Sequence, residues 1–121
     1  MYIDFKKWLN EILKTALPDE GAAVAFNLYE NPNSLWSIQL IVSSFFDEDD
    51  EDWACDEIYT TGENLYTWHQ EAGWEEILNI SKNMISSYLK EGDYIDELTK
   101  YEAIAVGFVD GDLEILYRNN E

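Results

Sequence analysis

Apolar residues recur at three- and four-residue spacing in two segments of the chain, which is typical of amphipathic helices. The first segment carries them at Phe5, Trp8, Leu9, Ile12, Leu13, Ala16 and Leu17. The second carries its stripe at Trp74, Ile77, Leu78, Ser81, Met84, Ile85, Tyr88 and Leu89. Asp4 is suited to cap the first helix and Pro18 to end it, and Gly92 is suited to cap the second at its C-terminus.

Elsewhere the apolar positions alternate, which indicates β-strands. Residues 22–30 and 35–46 predict two strands joined by a tight turn. The second of these is apolar on both sides, so we expect it in the middle of the sheet or under a helix. Residues 53–60 and 65–70 predict two further strands that form a hairpin, although residues 63–74 would also suit the start of a helix.

The end of the chain carries the strongest turn signal. Asp110-Gly111 stands between two alternating apolar runs, residues 104–108 and 113–117, and this arrangement predicts a β-hairpin. Residues 93–100 predict a polar linker with room for one helical turn. The predicted order is therefore α-β-β-β-β-α-β-β. We expect an α+β fold, with a mainly antiparallel sheet of about five to six strands and two helices packed on one face.

The composition is that of a folded domain with an unusual charge balance. The chain has 121 residues, 46% hydrophobic and 15% aromatic, so we expect a single domain over residues 1–121. The formal net charge of −19 argues against binding nucleic-acid phosphates or anionic membranes, which attract clustered Lys and Arg. It favours cationic proteins as partners. The lone cysteine, Cys55, and the lack of a signal-peptide pattern or a long apolar stretch lead us to expect a cytoplasmic protein.

Acidic residues are concentrated in the middle of the chain. Residues 15–81 contain no Lys or Arg and fifteen Asp and Glu. Eight of these acids fall within residues 47–57: Asp47, Glu48, Asp49, Asp50, Glu51, Asp52, Asp56 and Glu57. The first six are consecutive, and like charges in such a run should repel one another into an extended, solvated loop.

Three interpretations of this acidic run stay open. It is a solvated loop that keeps the protein soluble, a calcium-binding loop, or a docking surface for a cationic protein. An EF-hand loop needs glycine at its sixth position, where this run has Asp52. A docking surface needs anchoring side chains besides charge, and aromatic residues that follow the acids are candidates, although each also suits the core. These residues are Trp53, Tyr59, Tyr66 and Trp68.

No residue pattern indicates catalysis or a cofactor. His69 has no recognisable nucleophile context, and one histidine with Cys55 does not make a zinc motif. A reactive thiolate at Cys55 would need positive surroundings, which this part of the chain lacks. Turn chemistry explains Asp110, while Asp112 and Glu114 alternate onto one face of the last strand, which we expect to face solvent. We therefore expect a protein that is not an enzyme and holds no metal or cofactor.

Three stretches of the chain resemble small acidic proteins encoded beside bacterial polymorphic toxins. They are Trp53-Ala54-Cys55-Asp56-Glu57, Trp74-Glu75-Glu76 at the start of a helix, and Gly107-Phe108-Val109-Asp110-Gly111-Asp112-Leu113-Glu114. The proteins that they resemble are immunity proteins of contact-dependent growth inhibition systems. The resemblance implies a small, cytoplasmic, non-enzymatic protein that binds a toxin domain and blocks its active site. It transfers no functional residue, because immunity interfaces vary with the toxin.

The charge pattern and the resemblance lead to one hypothesis. We expect a stoichiometric inhibitor of a cognate basic toxin domain, most simply a nuclease, since enzymes that attack nucleic acid present a basic surface to phosphates. An acidic adaptor or a DNA-mimicking regulatory module is the alternative, and a metal-dependent hydrolase is a more distant one. The candidate toxin-binding residues are Asp47, Glu48, Asp49, Asp50, Glu51, Asp52, Trp53, Asp56, Glu57, Tyr59 and Trp68.

Overall fold

The computed structural model describes residues 1–15, 17–109 and 111–119, and for Glu51 the backbone alone. Within these ranges the chain forms two long helices, two short helical segments and six strands. In chain order the elements are α1 (Tyr2–Leu13), β1 (Ala23–Asn31), β2 (Leu35–Ser43), a 3-10 helix (Glu51–Cys55), β3 (Glu57–Thr60), β4 (Tyr66–His69), α2 (Trp74–Glu91), α3 (Ile95–Thr99), β5 (Ala103–Phe108) and β6 (Glu114–Arg118).

The six strands form one mostly antiparallel sheet with β1 and β2 near its centre. The strand order is β3-β2-β1-β5-β6, and β4 also pairs with β2. Among the described strands, β1 and β5 form the one parallel pair, and their register places Ala23 beside Ala103 and Leu28 beside Phe108. The C-terminal ends of these two strands therefore lie side by side.

Helices α1 and α2 pack on one face of the sheet and form most of the core with it. Alternate residues of β1, namely Val24, Phe26 and Leu28, are buried on this face. The helices contribute the buried side chains Phe5, Leu9, Ile12 and Leu13 from α1, and Ile77, Ser81, Met84, Ile85 and Tyr88 from α2. The prediction of an α+β fold with a mainly antiparallel sheet and two main helices is confirmed, whereas the predicted element order lacks the 3-10 helix and α3.

The opposite face of the sheet changes character along the strands. At the N-terminal ends of β1 and β5 it is lined by small residues and covered by the 3-10 helix. Further along, it is polar. Gln39 accepts a hydrogen bond from the Tyr29 hydroxyl at 2.8 Å and donates one to Thr60 at 3.0 Å. Ser37 lies 3.0 Å from the Thr67 hydroxyl, so side-chain hydrogen bonds run across four strands of this face.

Helix α1 begins earlier and ends earlier than its pattern predicts. Met1 is its N-cap, so Asp4 lies within the first turn instead of capping the helix. At that position the carboxylate still lies near the positive end of the helix dipole. Leu17 is buried although it follows the helix, and Ala16 lies outside the described residues.

Two predictions about the strands are wrong. Residues 53–55 form a 3-10 turn instead of a strand, because Trp53 packs onto the face of the sheet and does not pair at its edge. Strands β3 and β4 do not form a hairpin with each other. Both pair with β2, which is nine residues long: β3 pairs with its end at Ile41 to Ser43, and β4 with its start at Leu35 to Ile38.

The remaining predictions agree with the structure in their main features. Strand β2 lies inside the sheet as expected, although it ends at Ser43. Helix α2 has Gly92 as its C-cap. The terminal hairpin forms from β5 and β6, and its predicted turn residue Asp110 lies outside the described residues. The predicted linker contains the short helix α3.

Candidate binding surface

The acidic run is part of a folded cap on the sheet, and we call residues 47–57 the acidic cap. Trp53 anchors it, with 2% of its surface exposed. The indole packs in a cluster that includes Ile41 and four alanines, Ala23, Ala25, Ala103 and Ala105. Alanine side chains are short, so these two parallel strands leave room for one large ring above the sheet.

Hydrogen bonds within the acidic cap order its backbone. The Asp47 carboxylate accepts from the Asp49 amide at 2.9 Å, and the Asp50 carboxylate accepts from the Asp52 amide at 3.0 Å. Asp50 is the N-cap of the 3-10 helix. These are local side-chain to backbone bonds of the kind that Asp favours in turns and caps. The extended loop expected from charge repulsion is therefore wrong, because the buried indole and these bonds hold the segment in a compact turn.

Arg118 of β6 fastens the acidic cap from the side. Its guanidinium lies 4.9 Å from the centre of the Phe46 ring, and its Nη1 atom lies 3.0 Å from Glu48. The Phe46 ring in turn meets the Trp53 ring edge to face at 5.2 Å between centroids. Cation–π and edge-to-face ring contacts of this kind each stabilise a structure modestly. Together they join the acidic cap to the far edge of the sheet.

The described acidic side chains of the cap point to solvent, while its tryptophan points inward. Seven of the eight acids are exposed along their described side chains: Asp47, Glu48, Asp49, Asp50, Asp52, Asp56 and Glu57. Four basic residues form ion pairs with carboxylates in the described part of the chain, which neutralises part of the positive charge locally: Lys6, Lys82, Lys100 and Arg118. The outer surface of the cap is thus a dense, ordered array of negative charge.

The aromatic residues predicted to accompany these acids lie elsewhere. Trp53 is buried beneath the cap, so its ring does not reach the surface. Tyr59 and Trp68 are half-buried against the helix side of the sheet, where Trp68 stacks on Tyr66 at 5.5 Å between centroids. Trp68 also pairs with the start of β2, at the opposite end from the acidic cap.

Two apolar residues adjoin the acidic cap instead, and the sequence pattern does not single them out. Phe45 just precedes the acids and is 42% exposed, and Ile58 follows them in β3 and is 43% exposed. The available signal was their position directly beside the acidic run in the sequence. Their exposure depends on where β2 ends and where β3 begins, which alternation of residue types does not define.

The other candidate residues remain separate from one another. His69 at the end of β4 and Cys55 in the acidic cap are both exposed. Glu114 pairs with Lys82 of α2 at 2.5 Å, which places it on the helix side of the sheet. Among the described residues, no three His, Cys, Asp or Glu side chains are grouped closely enough to hold a metal ion.

No protein-family model, curated protein or solved structure matches this chain. None of the helices in the described ranges combines the length and the apolar character that crossing a membrane requires. The function is therefore inferred from the binding surface itself.

Proposed function

We propose that this protein is an immunity protein, which binds a cationic toxin domain one to one and blocks its active site. The observation that carries the proposal is the acidic cap: a run of exposed carboxylates held on a compact turn by a buried tryptophan. The protein would act in the cytoplasm of the cell that produces the toxin.

The folded state of the cap favours binding over a role in solubility alone. A flexible acidic loop would lose conformational entropy when it docks, whereas a loop that is already ordered loses less. Trp53 and the bonds that the Asp47 and Asp50 carboxylates accept from backbone amides provide that order before any partner arrives. Solubility alone would require charge but not an anchored backbone.

The charge of the cap suits a nuclease as the target. A nuclease must offer Lys and Arg to the phosphates of its substrate, and an ordered acidic surface can occupy the same groups. Complementary charge of this kind mainly raises the association rate and selects the partner. Close contacts would come from Asp56 and Glu57, together with the exposed apolar residues Phe45 and Ile58.

The first test is genetic and biochemical. We expect a toxin gene immediately upstream of this one, and we expect the C-terminal domain that it encodes to co-purify with this protein in a one-to-one complex. The complex should weaken as salt is raised and should lack the toxicity of the free domain. Absence of both a toxin gene and a complex would contradict the proposal and leave an acidic binding module with another target.

A second test locates the interface in the acidic cap. Asp47, Asp49, Asp50 and Asp52 would be changed together to Asn, which keeps the oxygen atoms that accept the two capping bonds. We expect association to slow by about tenfold or more at low salt, with a flatter dependence on ionic strength. Glu48 is left unchanged because it pairs with Arg118.

The matched control changes four exposed acids outside the cap, so that the net charge changes equally. These are Glu11, Glu20, Glu63 and Asp96, changed to Gln or Asn. Equal slowing in both variants would mean that net charge alone governs the encounter. Unchanged association of the cap variant would place the interface elsewhere.

A further inference from the structure

A second surface with the character of a binding site lies at the other end of the sheet. It is an open groove of about 940 Å³ between the C-terminal ends of β1 and β5 and the start of α2. We call it the Trp74 groove. Its apolar lining consists of Leu28, Trp74, Leu78, Phe108 and Val109.

Trp74 gives this groove an exposed aromatic wall. All five tryptophans lie in the described part of the chain, and Trp74 alone is exposed, at 56%. Its ring meets Phe108 edge to face at 6.4 Å, and Phe108 meets the buried Trp36 at 6.0 Å. Val109 beside it is 49% exposed. An exposed indole that packs against a neighbouring ring in a groove is the kind of residue that contributes strongly to protein interfaces.

The rim of the Trp74 groove is acidic. Glu30, Asp112 and Glu114 line it and are exposed, and no Lys or Arg is among the described lining residues. Lys82 of α2 forms an ion pair with Glu114. The groove therefore combines an apolar floor with net negative charge from Glu30 and Asp112, which disfavours an acidic occupant and favours a cationic one.

The Trp74 groove and the acidic cap lie at opposite ends of the parallel strands. The cap covers Ala23, Ala25, Ala103 and Ala105, near the N-terminal ends of β1 and β5. The groove begins at Leu28 and Phe108, near their C-terminal ends. The groove also lies on the helix face of the sheet, where Leu28 and Phe108 pack, whereas the cap lies on the opposite face. One partner that reaches both would have to wrap round the sheet.

We propose that the Trp74 groove binds an arginine-bearing segment of the same toxin domain, with an apolar side chain seated on Leu78 and Val109. The Arg guanidinium would lie over the open face of Trp74 and pair with the rim carboxylates Glu30 and Asp112. Planar guanidinium groups are suited to both kinds of contact. This inference rests on the proposed function and divides the interface by role: the acidic cap steers the encounter and the Trp74 groove slows dissociation.

The test measures association and dissociation rates with the purified toxin domain. Trp74→Ala should raise the dissociation rate by about tenfold or more and change the association rate by less than about twofold, since an anchor acts after encounter. Ile3→Ala, an exposed apolar change on α1, is the matched control.

The pair Val109→Lys and Val109→Glu tests the charge of the occupant, and we expect the lysine variant alone to weaken the complex.

The results separate this inference from the proposed function. Fast dissociation of the Trp74→Ala and Val109→Lys variants, with an unchanged Ile3→Ala control, supports the Trp74 groove as an anchor. Tight wild-type binding that all groove variants retain overturns the groove and leaves the immunity function standing. Failure of the wild-type protein to bind overturns both. Thermal melting of each variant, and protection of Trp74 from acrylamide quenching in the wild-type complex, show whether an effect reflects folding or contact.

Discussion

At the scale of single residues, buried tyrosines show how an aromatic ring and its hydroxyl are accommodated together. Tyr88 is fully buried and donates to Asn10 at 2.6 Å, and Tyr101 is 1% exposed and donates to the Pro18 carbonyl at 2.5 Å. Both rings lie in the main core. Burial raises the pKa of each hydroxyl to about 12, because the charged phenolate would lose its hydration.

These pKa values predict a loss of stability in alkali. The folded protein keeps both protons up to about pH 12, whereas the unfolded chain releases them near the ordinary pKa of 10.0. Between these values the folded state holds more protons, so the free energy of unfolding falls as pH rises. Urea denaturation at a series of pH values would show a steep decline from about pH 10 to 12.

The variant that isolates this effect is Tyr101→Phe. It lacks the hydroxyl and leaves the Pro18 carbonyl without its donor, which should cost about 1 kcal/mol at neutral pH. Its alkaline decline should be shallower than that of the wild-type protein. An equally steep decline in Tyr101→Phe and Tyr88→Phe would assign the loss to other groups.

At the scale of elements, the 3-10 helix is stabilised by tertiary contact more than by its own sequence. Its five residues are too few for a stable isolated helix. The buried side chain of Trp53 holds it on the sheet, and Asp50 caps its start. Loss of that single ring should therefore release the whole acidic cap.

Trp53→Ala should destabilise the protein by about 3–5 kcal/mol, the usual cost of removing a large buried ring. Hydrogen exchange of the backbone amides in residues 47–57 should also lose its protection. Cys55→Ala is a control in the same element, because Cys55 is exposed and we expect a change within about 0.5 kcal/mol. A Trp53→Ala variant with wild-type stability would show that the cap is held by other contacts.

At the scale of the whole molecule, negative charge opposes folding, and it would favour association with the proposed cationic partner. The formal net charge is −19, and the ordered cap concentrates part of it on one surface. Like charges destabilise a compact state, and salt screens them. Salt should therefore stabilise the free protein and weaken the proposed complex with a cationic toxin domain.

Thermal melting of the free protein from roughly 0.05 to 0.5 M NaCl tests whether salt stabilises it. We expect the melting temperature to rise by several degrees, which corresponds to about 1 kcal/mol in a domain of this size. The variant with four cap aspartates changed to Asn should begin at a higher melting temperature and respond less to salt. A melting temperature that falls with salt would show that the ion pairs of Lys6, Lys82, Lys100 and Arg118 outweigh the repulsion.

The helices, the terminal hairpin and the place of the acids could be predicted because each depends on residues that are close in the sequence. The stripe of α2 repeats with the period of the helix, and Asp110-Gly111 lies between two alternating runs. An acidic run is visible as such in any fold. These local signals were sufficient to predict the fold class and the acidic residues of the candidate surface, but not the apolar residues beside them.

Only the tertiary structure decided which aromatic residues reach the surface. Trp53 and Trp74 are equally apolar. Trp53 is buried on four alanines from β1 and β5, which are neighbours in the sheet but far apart in the sequence, whereas Trp74 lines an open groove. The parallel pairing of β1 with β5 forms both the alanine-lined site of Trp53 and the Trp74 groove, at opposite ends of the same strands. Burial depends on what a long-range partner places opposite a side chain, and the residue's sequence neighbours do not contain that information.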